Sequence, residues 1–248
     1  MGVTIESRGA GDAVLFLHGT PTAWDVLRPV ADAVVGRRTL LAALPGYGDA
    51  PARPSAFTVA DIARAIEDAV RALGVSRLRV VGFSGGAYHA LQLALRGVIA
   101  VDAVVVLGGF ADLTAADRAG FVGLAAALRA GAPLAGVATS RFLSPTFAAA
   151  HPDARARVEA WIHATSPENL ARELDAMVAA PSLLAGLAGW GGRVVARTGS
   201  LDLAAPPAKG QAIASAARRG VFQQVDGAGH ALLDENRDAT IAAVLAAL

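Results

Sequence analysis

The sequence predicts an α/β fold: a mostly parallel central sheet flanked by helices, with a helical insertion midway. Two observations carry this. Short apolar runs recur at residues 13–17, 39–44, 77–81, 100–107, 193–197 and 220–225, most of them followed by a stretch with helical spacing. Between residues 110 and 189 that alternation stops, and only helical stretches are legible. Strands alternating with helices imply right-handed crossovers and a parallel sheet. The length of 248 residues suits one sizeable α/β domain. The expected division is a core of residues 1–110 and 190–248, interrupted by a helical cap or lid over 111–189.

Each element has a local reason. Residues 3–7 alternate as an edge strand would, before the Gly9–Asp12 turn. Ala13-Val14-Leu15-Phe16-Leu17 is continuously apolar, as a strand covered on both faces must be. A helix is expected over 23–35. From Thr58, the apolar residues Val59, Ile62, Ala63, Ile66, Ala69, Val70 and Leu73 fall on one helical face until Gly74 ends it. In the insertion, helices are expected over 114–130, 152–164 and 167–178, with breakers at Gly131–Pro133 and Ser144-Pro145. After the insertion, helices are expected over 207–217 and 234–248.

Composition removes several classes of function. The chain has no cysteine, which excludes disulfides, thiol catalysis and thiolate metal sites. Its formal charge is +1, and its basic residues are dispersed, with Lys209 the only lysine, so no nucleic-acid partner is expected. Hydrophobic residues reach 54% and mean hydropathy is +0.47, yet no window approaches the ~20 apolar residues of a membrane span. The N-terminus shows no signal-peptide pattern, and Glu6 breaks the myristoylation motif. The expectation is a cytoplasmic protein, monomeric or homodimeric, acting on a small molecule without membrane contact. No Gly-rich dinucleotide or phosphate loop follows a strand. His151 and His163 lack metal-ligand spacing, so neither cofactor nor metal is expected.

The chemistry gathers around Gly82-Phe83-Ser84-Gly85-Gly86, set between an apolar strand and a helix. This Gly-x-Ser-x-Gly pattern places a serine on a sharp strand-to-helix turn. The flanking glycines leave room for helix and strand to meet, and the serine faces the helix's free N–H groups. Ligands of open parallel sheets bind beyond the carboxyl ends of the strands. At those ends stand His18-Gly19-Thr20, Ser84, Asp202 (in Gly199-Ser200-Leu201-Asp202) and His230 (in Asp226-Gly227-Ala228-Gly229-His230).

The order Ser84, Asp202, His230 resembles that of the α/β-hydrolase superfamily. The resemblance covers nearly the whole chain: His18-Gly19, Pro45-Gly46-Tyr47-Gly48, the serine turn, Gly199-x-x-Asp202-x-x-x-Pro206 and Gly229-His230 stand in the family's order. The helical insertion falls where the family carries its cap. Two departures are a short N-terminus and Gly85 directly after the serine, where many relatives carry a larger side chain. The resemblance implies that Ser84 is a nucleophile, His230 its base and Asp202 the partner that orients the histidine. It implies an oxyanion hole from the backbone N–H groups of Thr20 and Gly85.

Asp112 competes with Asp202 for the acid role, because it follows the run at 100–107. The Gly199 and Pro206 context favours Asp202. His18 is read as a brace for the oxyanion loop, His89 as packing or pocket wall, and Asp226 as a loop stabiliser. Trp24, Phe142 and Trp161 are candidate substrate-contacting aromatics. The expected function is hydrolysis of a small to medium, largely uncharged ester through an acyl-serine. Rival readings keep the triad for C–C or lactone hydrolysis, perhydrolysis or a lyase step, or make the protein a ligand receptor with little turnover.

Overall fold

Every residue of Ala13–Leu17 (β2) is buried, as its unbroken apolar run demands. This computed structural model describes residues 1–132 and 135–248. The strands around β2 are Thr4–Arg8 (β1), Arg38–Ala43 (β3), Arg77–Phe83 (β4), Ala100–Leu107 (β5), Arg193–Gly199 (β6) and Arg219–Val225 (β7). They form one sheet in the order β1-β3-β2-β4-β5-β6-β7, with only β1 antiparallel to its neighbour. β1 is the sheet's edge strand.

The alternation of β2 divides the core between two faces. Leu15 and Leu17 pack with Ile62 and Ile66 of helix Val59–Ala72 (α2) and Leu91 of helix Gly85–Arg96 (α3). Val14 and Phe16 pack with Val30 of helix Arg28–Ala33 (α1) and Val244 of helix Arg237–Ala247 (α12). Full burial of each large side chain is worth roughly 1.5–3 kcal/mol. The start of α2 is fixed by a capping box, in which Thr58 and Asp61 satisfy each other's backbone N–H groups.

The chain leaves β2 outward to β3 and returns to β4 on the other side. That reversal opens a crevice between the carboxyl ends of β2 and β4, where Gly19-Thr20 and Ser84 stand. Between β5 and β6 run Ala115–Arg129 (α4), Ala135–Phe142 (α5), Pro145–Ala150 (α6), Pro152–Ala164 (α7), Pro167–Val178 (α8) and Leu184–Leu187 (α9). After β6 come Pro207–Ala216 (α10) and Leu232–Glu235 (α11).

Three expectations need correction. The helix expected over 23–35 is only α1, because Pro29 lacks an N–H and is accommodated in a first turn. The helix expected over 234–248 is two, α11 and α12. They break at Asn236, whose side-chain oxygen accepts from Arg197 Nη2 at 2.8 Å. Helices α5, α6 and α9 were not anticipated; they are short, and α6 is half alanine, so their apolar periodicity is faint. Ser144-Pro145 does separate α5 from α6, whereas the breaker expected at Pro133 lies outside the described residues. No helix among the described residues is long and apolar enough to cross a membrane.

Candidate active site

Ser84 is the only non-glycine residue among those described with positive φ (φ 52°, ψ −121°). Such a backbone costs about 1–3 kcal/mol and persists only where its surroundings enforce it. The enforcement is visible. A Cβ on Gly82 would lie 2.5 Å from Ala87 Cα, and one on Gly86 2.3 Å from the carbonyl oxygens of Leu17 and His18. Both positions therefore require glycine, and α3 is pressed against β2 and β4. Gly19 is equally constrained: its Cβ would stand 2.6 Å from that of Ser84.

His230 and Asp202 meet at the ends of β7 and β6. His230 Nδ1 lies 2.8 Å from Asp202 Oδ2, with both side chains fully buried. Asp202 Oδ1 accepts from the N–H groups of Ala204 (2.8 Å) and Ala205 (2.7 Å), which fixes the carboxylate's orientation. A carboxylate only accepts, so Nδ1 carries the hydrogen and Nε2 presents its lone pair. That Nε2 is buried and makes no hydrogen bond with a described residue.

The imidazole lies 4.9 Å from the ring of Phe83, the neighbour of Ser84. Gly108 closes the site behind it: a Cβ there would meet His230 Nδ1 at 2.9 Å and Asp202 Oδ2 at 3.1 Å. The loop before His230 is tied down by Glu235, which accepts from the N–H of Gly229 and of Ser144. Asp112 follows β5, but the acid that reaches His230 is Asp202. Asp226 accepts from Gln224 within its own turn.

His18 Nε2 accepts from Leu44 N–H at 3.1 Å, so Nδ1 carries the hydrogen and donates to Gly19 O at 2.8 Å. Burial lowers its pKa to about 4 and keeps it neutral. It is a structural strut under the Gly19-Thr20 loop. His89, fully buried on α3, is likewise lowered to about 4 by burial. Gln92 lies near it, but neither ring nitrogen makes a well-formed hydrogen bond with a described residue.

A feature that sequence reasoning missed adjoins Thr20. Its hydroxyl donates to Glu173 Oε1 of α8 at 2.6 Å, while Tyr47 Oη (2.8 Å) and Arg53 Nη2 (2.7 Å) donate to Oε2. The Arg53 and Glu173 side chains are 0% and 2% exposed. Burial works against the Arg53 charge, but Glu173 and Tyr47 together outweigh it and the guanidinium's pKa stands raised. Burial and the Glu173 charge raise the Tyr47 hydroxyl well above its usual range. Only Tyr47, within Pro45-Gly46-Tyr47-Gly48, stood in a sequence motif; Arg53 and Glu173 lie 120 residues apart, and no local pattern links them.

The candidate aromatics separate. Phe142 stands edge-on to His230 at 4.8 Å. Trp161 lies edge-on behind Phe142 at 6.4 Å and lines a narrow apolar cleft with Val26, Phe83, Leu107 and Leu232. Trp24 packs against Gly48 and under the Arg28 guanidinium, 5.3 Å from its ring centroid. Gly85 adjoins Thr20, since its Cβ would lie 3.2 Å from Thr20 Oγ1 and 3.9 Å from Met177 Cε. Among the described residues, no group of three or more His, Cys, Asp or Glu side chains is arranged to hold a metal.

Comparison with known proteins places the fold. The chain is 36% identical to epoxide hydrolase 3 of Siraitia grosvenorii over 95 residues, covering 37% of this chain and 30% of that protein. It spans between about a quarter and about half the length of the curated relatives it matches. A thermophilic esterase from Thermogutta terrifontis superposes with a TM-score of 0.89 at 20% identity, covering 98% of this chain and 91% of that one. The enol-lactonase of Burkholderia xenovorans LB400 gives 0.89 at 21% identity, covering 98% and 95%. At such identities these two likenesses speak for the fold alone. A family model described as the alpha/beta hydrolase fold matches residues 12–236, and the chain belongs to the α/β-hydrolase family of enzymes.

Proposed function

We propose that the protein is a serine hydrolase of small to medium, largely uncharged esters, working through an acyl-Ser84 intermediate. One observation carries the reading. Asp202 fixes His230, whose ring packs against Phe83 next to the strained turn at Ser84, with Nε2 left without a hydrogen bond to a described residue. In this reading Nε2 takes the Ser84 proton as Oγ attacks the ester carbonyl, and Asp202 stabilises the resulting imidazolium. His230 then protonates the leaving alkoxide, and the same pair activates water to release the acid. Positioned proton transfer of this kind contributes roughly 10²–10⁴ in rate.

The carbonyl oxygen becomes an oxyanion, which the backbone N–H groups of Thr20 and Gly85 receive. Their adjacency supports the assignment, as does the position of Gly85 at the first turn of α3, where N–H groups are free and the dipole is positive. Helices α4–α9 form the cap, and Phe142 supplies an apolar wall beside the histidine. Apolar surroundings at His230 favour a neutral acyl or alcohol group. The test is turnover of a graded series of aryl and alkyl esters and lactones by the parent and by Ser84→Ala. Loss of turnover below about 10⁻³ of the parent is expected; retained ester cleavage by Ser84→Ala overturns the reading.

A further inference from the structure

We propose that Glu173, carried on α8, is a positioning residue for the oxyanion loop and couples docking of the cap to assembly of the oxyanion hole. The inference rests on the serine-hydrolase reading and extends it to a residue that reaches the reacting atoms only through Thr20.

Three facts converge on it. The Thr20 hydroxyl is held by Glu173 Oε1 at 2.6 Å, so the conformation of the residue proposed to donate its N–H depends on a cap side chain. The loop is also held by His18, which donates to Gly19 O. Met177, one turn beyond Glu173 on α8, would contact a Cβ on Gly85 at 3.9 Å. The same face of α8 therefore lies over both proposed donors. A carboxylate in that place would oppose a forming oxyanion, and Arg53 answers it. Its Nη2 binds Oε2 at 2.7 Å, its Nη1 donates to Asn169 O of the same helix at 3.1 Å, and its guanidinium lies over the Tyr47 ring. The arrangement grips Thr20 with a strong charge-assisted bond while leaving little net charge beside the oxyanion.

Arg53→Met leaves a buried carboxylate uncompensated at the oxyanion hole, so kcat should fall about 100-fold. Adding Glu173→Gln to it removes the charge, keeps an acceptor for Thr20, and should recover at least tenfold of that loss. If Arg53 and Glu173 served packing alone, the double variant would be no faster than the single one. Thr20→Val should lower kcat about 10- to 100-fold with KM within about threefold, and Thr20→Ser should return kcat to within threefold of the parent. The experiment is steady-state kinetics on one aryl ester for these four variants and Ser84→Ala, with circular dichroism and melting temperature recorded for each.

Recovery in the double variant together with the Thr20 pattern supports the proposal. A Thr20→Val kcat within threefold of the parent, or a folded double variant no faster than folded Arg53→Met, overturns it. Where an Arg53 variant does not fold, the Thr20 pair decides alone. Activity that survives Ser84→Ala removes the underlying reading as well. Loss in Ser84→Ala with an unaffected Thr20→Val removes only the role of Glu173.

Discussion

Asp202→Asn is the substitution whose outcome the hydrogen-bond geometry specifies most closely. The Asp202 side chain has two faces with different partners: Oδ1 accepts from the N–H groups of Ala204 and Ala205, and Oδ2 faces His230 Nδ1. Asparagine has the same shape but only one acceptor. If its oxygen keeps the two backbone donors, its NH2 faces Nδ1, which must then accept, and the ring hydrogen moves to Nε2. Histidine in that tautomer cannot take a proton from serine. The reversed amide restores the productive tautomer but points NH2 at the N–H groups of Ala204, part-buried, and Ala205, buried. Each such loss costs about 1–3 kcal/mol, so the reversed form lies about 2–6 kcal/mol higher. At about 1.4 kcal/mol per decade, kcat should fall between about 30-fold and about 10⁴-fold. The melting temperature should stay within a few degrees of the parent. Aryl-ester kinetics and a thermal melt suffice to check both. An Asp202→Asn enzyme retaining more than a third of the parent kcat would refute the tautomer argument.

Further expectations follow from the same geometry. Gly108→Ala places a Cβ within 2.9 Å of His230 Nδ1 at a φ of 51°, and should cut kcat at least tenfold and lower the melting temperature; parent-like kinetics would show that the pair has slack. Gly19→Ala, whose Cβ would stand 2.6 Å from that of Ser84, should abolish labelling of the serine by a phosphonate probe while the protein still folds, as circular dichroism would show. Acid should destabilise the fold through His18 and His89, both lowered from 6.5 to about 4 by burial. Because the unfolded chain binds these protons more readily, stability is complete above about pH 6.5 and declines as pH falls toward 4, by up to about 3 kcal/mol per histidine. Urea unfolding at pH 7 and pH 4.5 should show that decline, and His89→Leu should reduce it; an unchanged pH dependence in the variant would count against a buried neutral His89.

Legibility in the sequence followed the range of the interactions. The strands β2 and β5 and helices α2, α4, α7 and α8 were readable because each carries its own signal, whether a continuous apolar run, a Thr-x-x-Asp cap or a proline at the first turn. The turn at Ser84 was readable for the same reason, since its glycines answer close approaches between neighbouring elements. Asp202 and His230 could be nominated from their places after strands, but their 2.8 Å contact depends on the adjacency of β6 and β7. Glu173 had one signal that was not used: it falls at helical spacing among Leu170, Leu174 and Met177 on the apolar face of α8, whereas Glu168 lies on the opposite, solvent-facing side. Only the fold, by laying α8 over the residue 19–20 loop, makes one carboxylate a surface charge and the other a buried anchor. Phe142 and Trp24 show the same limit: both are aromatic, and only one is set against the histidine.

The most direct test of the central claim is reaction with a fluorophosphonate probe, followed by peptide mapping of the adduct in the parent and in His230→Ala. The account predicts one adduct, on Ser84, formed rapidly by the parent and lost or slowed at least 100-fold without the histidine. An adduct on another residue, or none on the folded parent, would contradict an activated Ser84.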